Sequence, residues 1–124
     1  MASSFKDLVV WQRSVELCIA VYKLTANFPS DERFGLTNQL RRASVSIASN
    51  IAEGYGKSTR GEYVQFLGHA RGSVGELQTQ LQIAAALQFG FEELRESAQK
   101  LSAEVSKMLI AMMAKLQTRA EVHR

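Results

Sequence analysis

One cysteine, one proline and no long apolar run set the outer limits on this chain of 124 residues. Cys18 has no partner for an internal disulfide, so the fold has to hold without cross-links, and a reducing compartment suits it. The longest uncharged apolar run, Met108 to Ala114, is far too short to span a bilayer. Near the start, Lys6 and Asp7 lead into a segment broken by Gln12, Arg13 and Glu16, which leaves no secretory apolar core. The expectation is a cytoplasmic protein with no membrane partner. Excess charge is also scarce: the formal net charge of +3 permits an acidic partner without requiring one.

What the chain does have is apolar content, 46% of residues, enough for a compact globule rather than a disordered tail. Apolar residues recur every three or four positions, and sustained alternation is missing, so the elements are helices. Breaks fall at Phe28-Pro29-Ser30, at Gly54-Tyr55-Gly56-Lys57-Ser58 and at Phe89-Gly90-Phe91. Pro29 ends a helix and forces Phe28 out of helical geometry. Gly54 and Gly56 suit a left-handed cap, and Thr59-Arg60-Gly61-Glu62 fits a capping box opening the next helix. Gly90 supplies the third stop. The reading is an all-α single domain over 1–124, with helices near 6–27, 31–54, 59–89 and 92–120. Short loops make neighbours antiparallel, which gives an up-down four-helix bundle.

The stripes differ from helix to helix. The fourth carries Leu94, Ala98, Leu101, Val105, Met108, Met112 and Leu116, with Glu96, Lys100, Glu104 and Lys107 opposite, a plain amphipathic pattern. The methionines read as gap-filling core. The first helix carries two stripes. Leu8, Trp11, Val15, Ile19, Tyr22 and Ala26 are taken as facing the core, and Val10, Leu17, Val21 and Leu24 as an outer face needing cover. The third has a full core stripe from Tyr63 through Phe66, Leu67, Ala70, Val74, Leu77 and Leu81 to Ala84. Opposite it lie Gly61, Gly68, Gly72 and Gly75. Each mid-helix glycine costs about 1 kcal/mol relative to alanine. Several on one face suggest that another backbone approaches closely. Val10, Leu17, Val21, Leu24, Gly68, Gly72 and Gly75 are therefore the expected subunit interface of a homo-oligomer.

Catalytic and metal chemistry find no constellation. Gly54-Tyr55-Gly56-Lys57-Ser58-Thr59 looks like the end of a phosphate loop, but Ile51 stands where the pattern requires glycine, and no strand precedes it. His69 has no acidic or cysteine partner at ligand spacing, and His123 lies near the end of the chain, so no metal site is expected. Cys18 reads as a small buried hydrophobe, and Ser44, Ser46 and Ser49 have no histidine on their helix. No cofactor and no enzymatic activity are expected.

The second helix is the most informative. Leu36, Leu40, Ala43, Ile47 and Ile51 form its core side. Arg42, Ser46, Ser49 and Glu53 align on another side with Asn50 at the edge. Arg42 and Glu53 stand about 16 Å apart along the axis and cannot pair. Folding the third helix back predicts pairs Glu53–Arg60 and Arg42–Glu76, within the chain or between subunits, so Arg42, Asn50, Glu53 and Glu76 form a structural polar network. Arg41, Lys57, Arg60 and Arg71, with Arg42, cluster around the hairpin of helices two and three, a candidate RNA- or DNA-binding surface with steep salt dependence. Arg41 and Lys57 are the expected solvent-facing contacts, and Tyr55 the one candidate for base stacking.

These residues carry a family resemblance. Leu8-Val9-Val10-Trp11-Gln12, Val21-Tyr22-Lys23-Leu24-Thr25 with Phe28-Pro29, and Phe34-Gly35-Leu36 are its opening motifs. Gln39-Leu40-Arg41-Arg42-Ala43 and Ser46-Ile47-Ala48-Ser49-Asn50-Ile51-Ala52-Glu53-Gly54 follow. Tyr63-Val64-Gln65-Phe66-Leu67 with Ala70-Arg71-Gly72-Ser73 and Glu76-Leu77 complete the set. Together they resemble the four-helix-bundle family of 23S rRNA intervening-sequence proteins over nearly the whole chain. Ala48 stands where many relatives have proline, and Lys57 where arginine is common. The resemblance implies a bacterial cytoplasmic bundle assembling into a five-membered ring. The accessory proteins of diversity-generating retroelements, which are related to that family, form similar rings that bind nucleic acid and a reverse transcriptase. The resulting expectation is a non-enzymatic homopentamer that binds RNA or DNA through basic surface, with a protein-interaction scaffold as the alternative.

Overall fold

The computed structural model describes residues 3–122, which form four α-helices and two short 3-10 turns with no strand among them; His123 lies outside them. The helices are α1 (Val9–Thr25), α2 (Leu36–Tyr55), α3 (Arg60–Ala86) and α4 (Glu92–Val122). Each packs against its neighbours in chain order, and α4 closes back on α1. The bundle is therefore a square with four outer faces, α1/α2, α2/α3, α3/α4 and α4/α1.

The helix ends are set by local hydrogen bonds. The first helix begins later than its apolar pattern, because Phe5–Asp7 is a 3-10 turn capped by Ser4 Oγ, which accepts from Lys6 N–H. The second starts at Leu36 rather than 31: Ser30–Glu32 forms another 3-10 turn, and Glu32 Oε1 accepts from Leu36 N–H at 3.0 Å. Ala48 sits within an unbroken α2. The expected left-handed cap at Gly54 and Gly56 does not occur, since Gly54 is helical and Gly56 has φ −79°. At Thr59 the N-cap half of the expected box forms: its Oγ1 accepts from Glu62 N–H at 3.2 Å and donates to the Glu62 carboxylate at 2.9 Å. The third helix stops at Ala86, three residues early. Gln88, at φ 59°, is the left-handed residue, and Phe89 N–H donates to Ala84 O while Gln88 N–H donates to Ala85 O. Gly90, at φ 75°, is a second turn residue pressed on Leu24.

The α2 and α3 core stripes are as the pattern predicts, except that Tyr63 and Phe66 are half-buried. The α4 stripe is rotated so that Ala98, Ser102, Val105 and Leu109 are innermost. The α1 assignment is reversed. Leu17, Val21 and Leu24 are 0% exposed and Val10 is buried with them, whereas Ile19 is 51% exposed. The seam that faces inward is Val10, Ser14, Leu17, Val21, Leu24, spaced four, three, four, three. Ser14 completes it at low cost because its hydroxyl donates to Val10 O at 2.7 Å. Val10, Leu17, Val21 and Leu24 are thus core within one chain, and a subunit interface built on them is excluded.

Candidate interaction surface

The polar stripe of α2 is present, but its partners are not the expected ones. Within the chain neither Glu53–Arg60 nor Arg42–Glu76 forms an ion pair. Among the described residues the ion pairs are Arg13 with Glu16 at 2.9 Å and Arg13 with Glu104 at 3.2 Å, the second tying α1 to α4. Arg42, Glu53, Arg60 and Glu76 are all exposed. There the Coulomb gain of a pair is offset by solvation and side-chain entropy. The network that joins α2 to α3 is uncharged. Ser46 Oγ lies 2.9 Å from Ser73 Oγ, and Asn50 Nδ2 donates to Ser46 O and Oγ at 2.9 and 3.0 Å. Asn50 is in this network; Arg42, Glu53 and Glu76 are not.

Beside that serine pair, α2 and α3 enclose a groove of about 330 Å³ lined by Asn38, Gln39, Arg42, Ser46, Glu76 and Gln80. Arg42 and Glu76 share its walls without pairing. Gln80 is 7% exposed, and its Oε1 has no hydrogen-bond partner. The sequence reading passed over Gln80. Its signal was an amide at the edge of the apolar run Leu77, Leu81, Ala84.

The basic cluster is split by the fold. Arg41 turns to α1, where its Nε donates to Thr25 Oγ1 at 2.8 Å and its guanidinium lies 4.5 Å from the Tyr22 ring centroid. Lys57 places its Nζ 4.9 Å from the Phe66 ring. Both were expected to face solvent freely, and both are engaged. Arg71 is two turns from Gln78, which reaches Ser102 at 3.5 Å, so Arg71 lies along the α4 side of α3. Arg60 is exposed at the first turn of α3. Arg41 and Arg71 are therefore on different faces. Tyr55 is half-buried, with its ring edge-on to Tyr63 at 6.1 Å, and is not an open stacking platform. No three His, Cys, Asp or Glu side chains among the described residues gather as a metal cage. His69 rests edge-on against Phe66 at 5.6 Å.

Tyr63 carries an unsatisfied polar group at this end of the bundle. Its hydroxyl is buried without a partner, and burial, reinforced by the neighbouring Tyr55, raises its pKa above the usual 10. The folded chain therefore holds that proton more tightly than the unfolded one. Its contribution is intact below pH 10 and is lost as pH rises through the folded value. Tyr63→Phe should remove this alkaline loss. It should also raise stability near neutral pH by about 1 kcal/mol, because an unpaired buried hydroxyl disappears; urea denaturation at pH 7 and above pH 10 measures both effects.

Within one chain the glycine face of α3 is open. A Cβ on Gly72 or Gly75 meets nothing within 4 Å, and one on Gly68 would rest 3.7 Å from Met113 Cε of α4. A neighbouring helix of the same bundle is not what keeps Gly72 and Gly75 small. Gly72→Ala and Gly75→Ala should each stabilise the chain by about 1 kcal/mol in thermal or urea denaturation. A loss would show that another copy uses the missing side chain.

The α1/α2 face carries an apolar surplus of its own. Trp11, Val15, Cys18 and Ile19 of α1 and Val45, Ala48 and Ala52 of α2 line a groove of about 290 Å³ that is almost wholly apolar. Val45 and Tyr22 are exposed beside it. The spacing Val45, Ala48, Ala52 was a second apolar line on α2 that the sequence reading missed.

With this geometry in place, comparison with known proteins is decisive for the family. The model of the 23S rRNA-intervening sequence protein family matches residues 6–111. This chain belongs to that family. The intervening-sequence bundle is also similar to the crystal structure of a protein of unknown function from the S23 ribosomal protein family of Bacteroides thetaiotaomicron VPI-5482. The two share 26% identity over 85% of this chain and 98% of that one, with a TM-score of 0.76. No curated protein matches it. No helix of the described part of this family member is long and apolar enough to cross a membrane.

Proposed function

We propose that this intervening-sequence family member is a cytoplasmic, non-enzymatic bundle that works as a homo-oligomer, with the α1/α2 apolar groove as the contact between copies. One observation carries the reading: α1 buries a complete seam in its own bundle and still presents Trp11, Val15 and Ile19 beside Val45 outside it. Contiguous exposed apolar surface of this kind marks interaction sites. The family resemblance supplies the number five and the closed ring. Sedimentation equilibrium is the test. The wild-type chain should give a multiple of 13.8 kDa, and Ile19→Glu combined with Val45→Glu should give the single-chain mass with helicity intact. A wild-type mass of one chain overturns the proposal.

A second role follows from the unpaired cations. Arg42, Arg60 and Arg71 are exposed and carry no ion pair among the described residues, so the ion-pair network that would have neutralised them is not there. Repeated around a ring, they offer phosphate contacts to RNA or DNA. Titration over a salt series should show affinity falling steeply with salt, and Arg60→Glu with Arg71→Glu should abolish it. Binding that survives those changes, or none at low salt, leaves the scaffold role by itself.

A further inference from the structure

Gln80 stands in the wall of the α2/α3 groove at 7% exposure, and among the described residues no hydrogen bond uses its amide. A buried amide without a partner is costly, and one kept beside a hollow has room for a partner from outside the chain. The hollow itself is small, about 330 Å³. That is the low end for a ligand site and suits a molecule of amino-acid size better than a nucleotide or a peptide. Its floor is already fixed. Ser46 Oγ is engaged by Ser73 at 2.9 Å and by Asn50 at 3.0 Å, so Ser46 holds the shape of the groove and leaves recognition to its walls.

Those walls carry opposite charges. Arg42 of α2 and Glu76 of α3 line the same hollow, and neither has an ion-pair partner in the chain. They stop short of each other, which leaves space between them for both ends of a small molecule. A plain anion is repelled at one wall and a plain cation at the other, whereas a molecule bearing both charges is attracted at both. No aromatic ring is among the lining residues, so a nucleobase has nothing to stack on. We infer that the groove binds a free α-amino acid as its zwitterion, with the carboxylate on Arg42, the ammonium on Glu76 and a polar side chain on the amide of Gln80. The guanidinium fork matches a carboxylate through two parallel hydrogen bonds. An apolar side chain is rejected because it leaves the Gln80 amide unpaired. The site lies within one chain and needs neither the α1/α2 contact nor phosphate binding.

Titration with L-serine, L-asparagine and L-glutamine, followed by proton–nitrogen NMR, tests it. At least one of them should shift the side-chain amide signals of Gln80 saturably, one ligand to each chain. Its methyl ester, which lacks the carboxylate charge, and its N-acetyl form, which lacks the ammonium, should each bind at least about tenfold more weakly. Arg42→Gln should weaken the parent amino acid by a similar factor and leave the methyl ester unchanged; Glu76→Gln should do the same with the N-acetyl form. Both residues are exposed, so circular dichroism should give both variants the wild-type helicity. No saturable shift with any of the three up to about 10 mM overturns the inference, as does equal binding of the blocked forms. Inorganic phosphate that moves the same signals, lost in Arg42→Gln and kept in Glu76→Gln, overturns it too and leaves Arg42 to the nucleic-acid role. Binding should survive in Ile19→Glu with Val45→Glu, so failure of the α1/α2 contact leaves this site intact. Loss of binding there would contradict a site contained in one chain.

Discussion

Leu17→Ala should destabilise the chain by about 2–5 kcal/mol, the cost of a cavity in a packed core. Ile19→Ala, two residues along the same helix, should change fold stability by less than about 0.5 kcal/mol. Urea denaturation in dilute protein measures both. The contrast follows from burial alone: Leu17 is fully enclosed by its own bundle, while half of Ile19 faces outward. Equal losses would mean that the α1 seam runs through Ile19, and the outward apolar face would vanish with it.

Gly54→Ala should cost about 1–3 kcal/mol even though alanine is the better helix former by about 1 kcal/mol. A Cβ at that position would stand 2.9 Å from Phe66 Cβ, 3.1 Å from Tyr63 Cδ1 and 3.3 Å from the Tyr63 carbonyl oxygen. Two of those atoms belong to or adjoin the α3 backbone, so yielding means moving the helix. Gly54 is a point of close approach of α2 and α3 near the turn of the hairpin that carries the polar groove. The sign is opposite to that at Gly72 and Gly75, where the added methyl has open space. If Gly54→Ala were neutral, the α2/α3 spacing described above would be wrong.

The number of helices, their order and two of the four core stripes were legible in the pattern, because Leu40, Ile47 and Ile51 on α2, and Leu67, Val74 and Leu77 on α3, have no competing line of similar size. On α1 two lines compete. Counting large side chains favours Trp11, Ile19 and Tyr22, yet Trp and Tyr carry polar atoms that do well half in water. The narrower line wins because it keeps the regular seam spacing and buries Ser14 with its hydroxyl returned to the helix backbone. Helix ends were off by a few residues where 3-10 turns intervene, as at Glu32 before Leu36.

Polar geometry was the least legible. Helical phase placed Arg42 and Glu76 on facing sides of one hairpin, and they do share a groove. Phase does not say whether two exposed charges close the last few ångströms, and here they do not. Arg41 and Arg42 are adjacent in sequence, yet about 100° apart around α2. One is drawn onto Tyr22 and Thr25 of α1 and the other is left on the α3 side. A run of basic residues in a sequence is thereby divided between faces, and the large single patch it suggested is not formed.

Cys18 gives the most direct reading of whether the α1/α2 groove is covered, since the only thiol of the chain lines it. The rate of its reaction with a thiol reagent, followed across a protein dilution series, should be slow at high concentration. It should rise on dilution to the rate shown at all concentrations by Ile19→Glu with Val45→Glu. A rate that is independent of concentration and equal in wild type and variant would contradict the account.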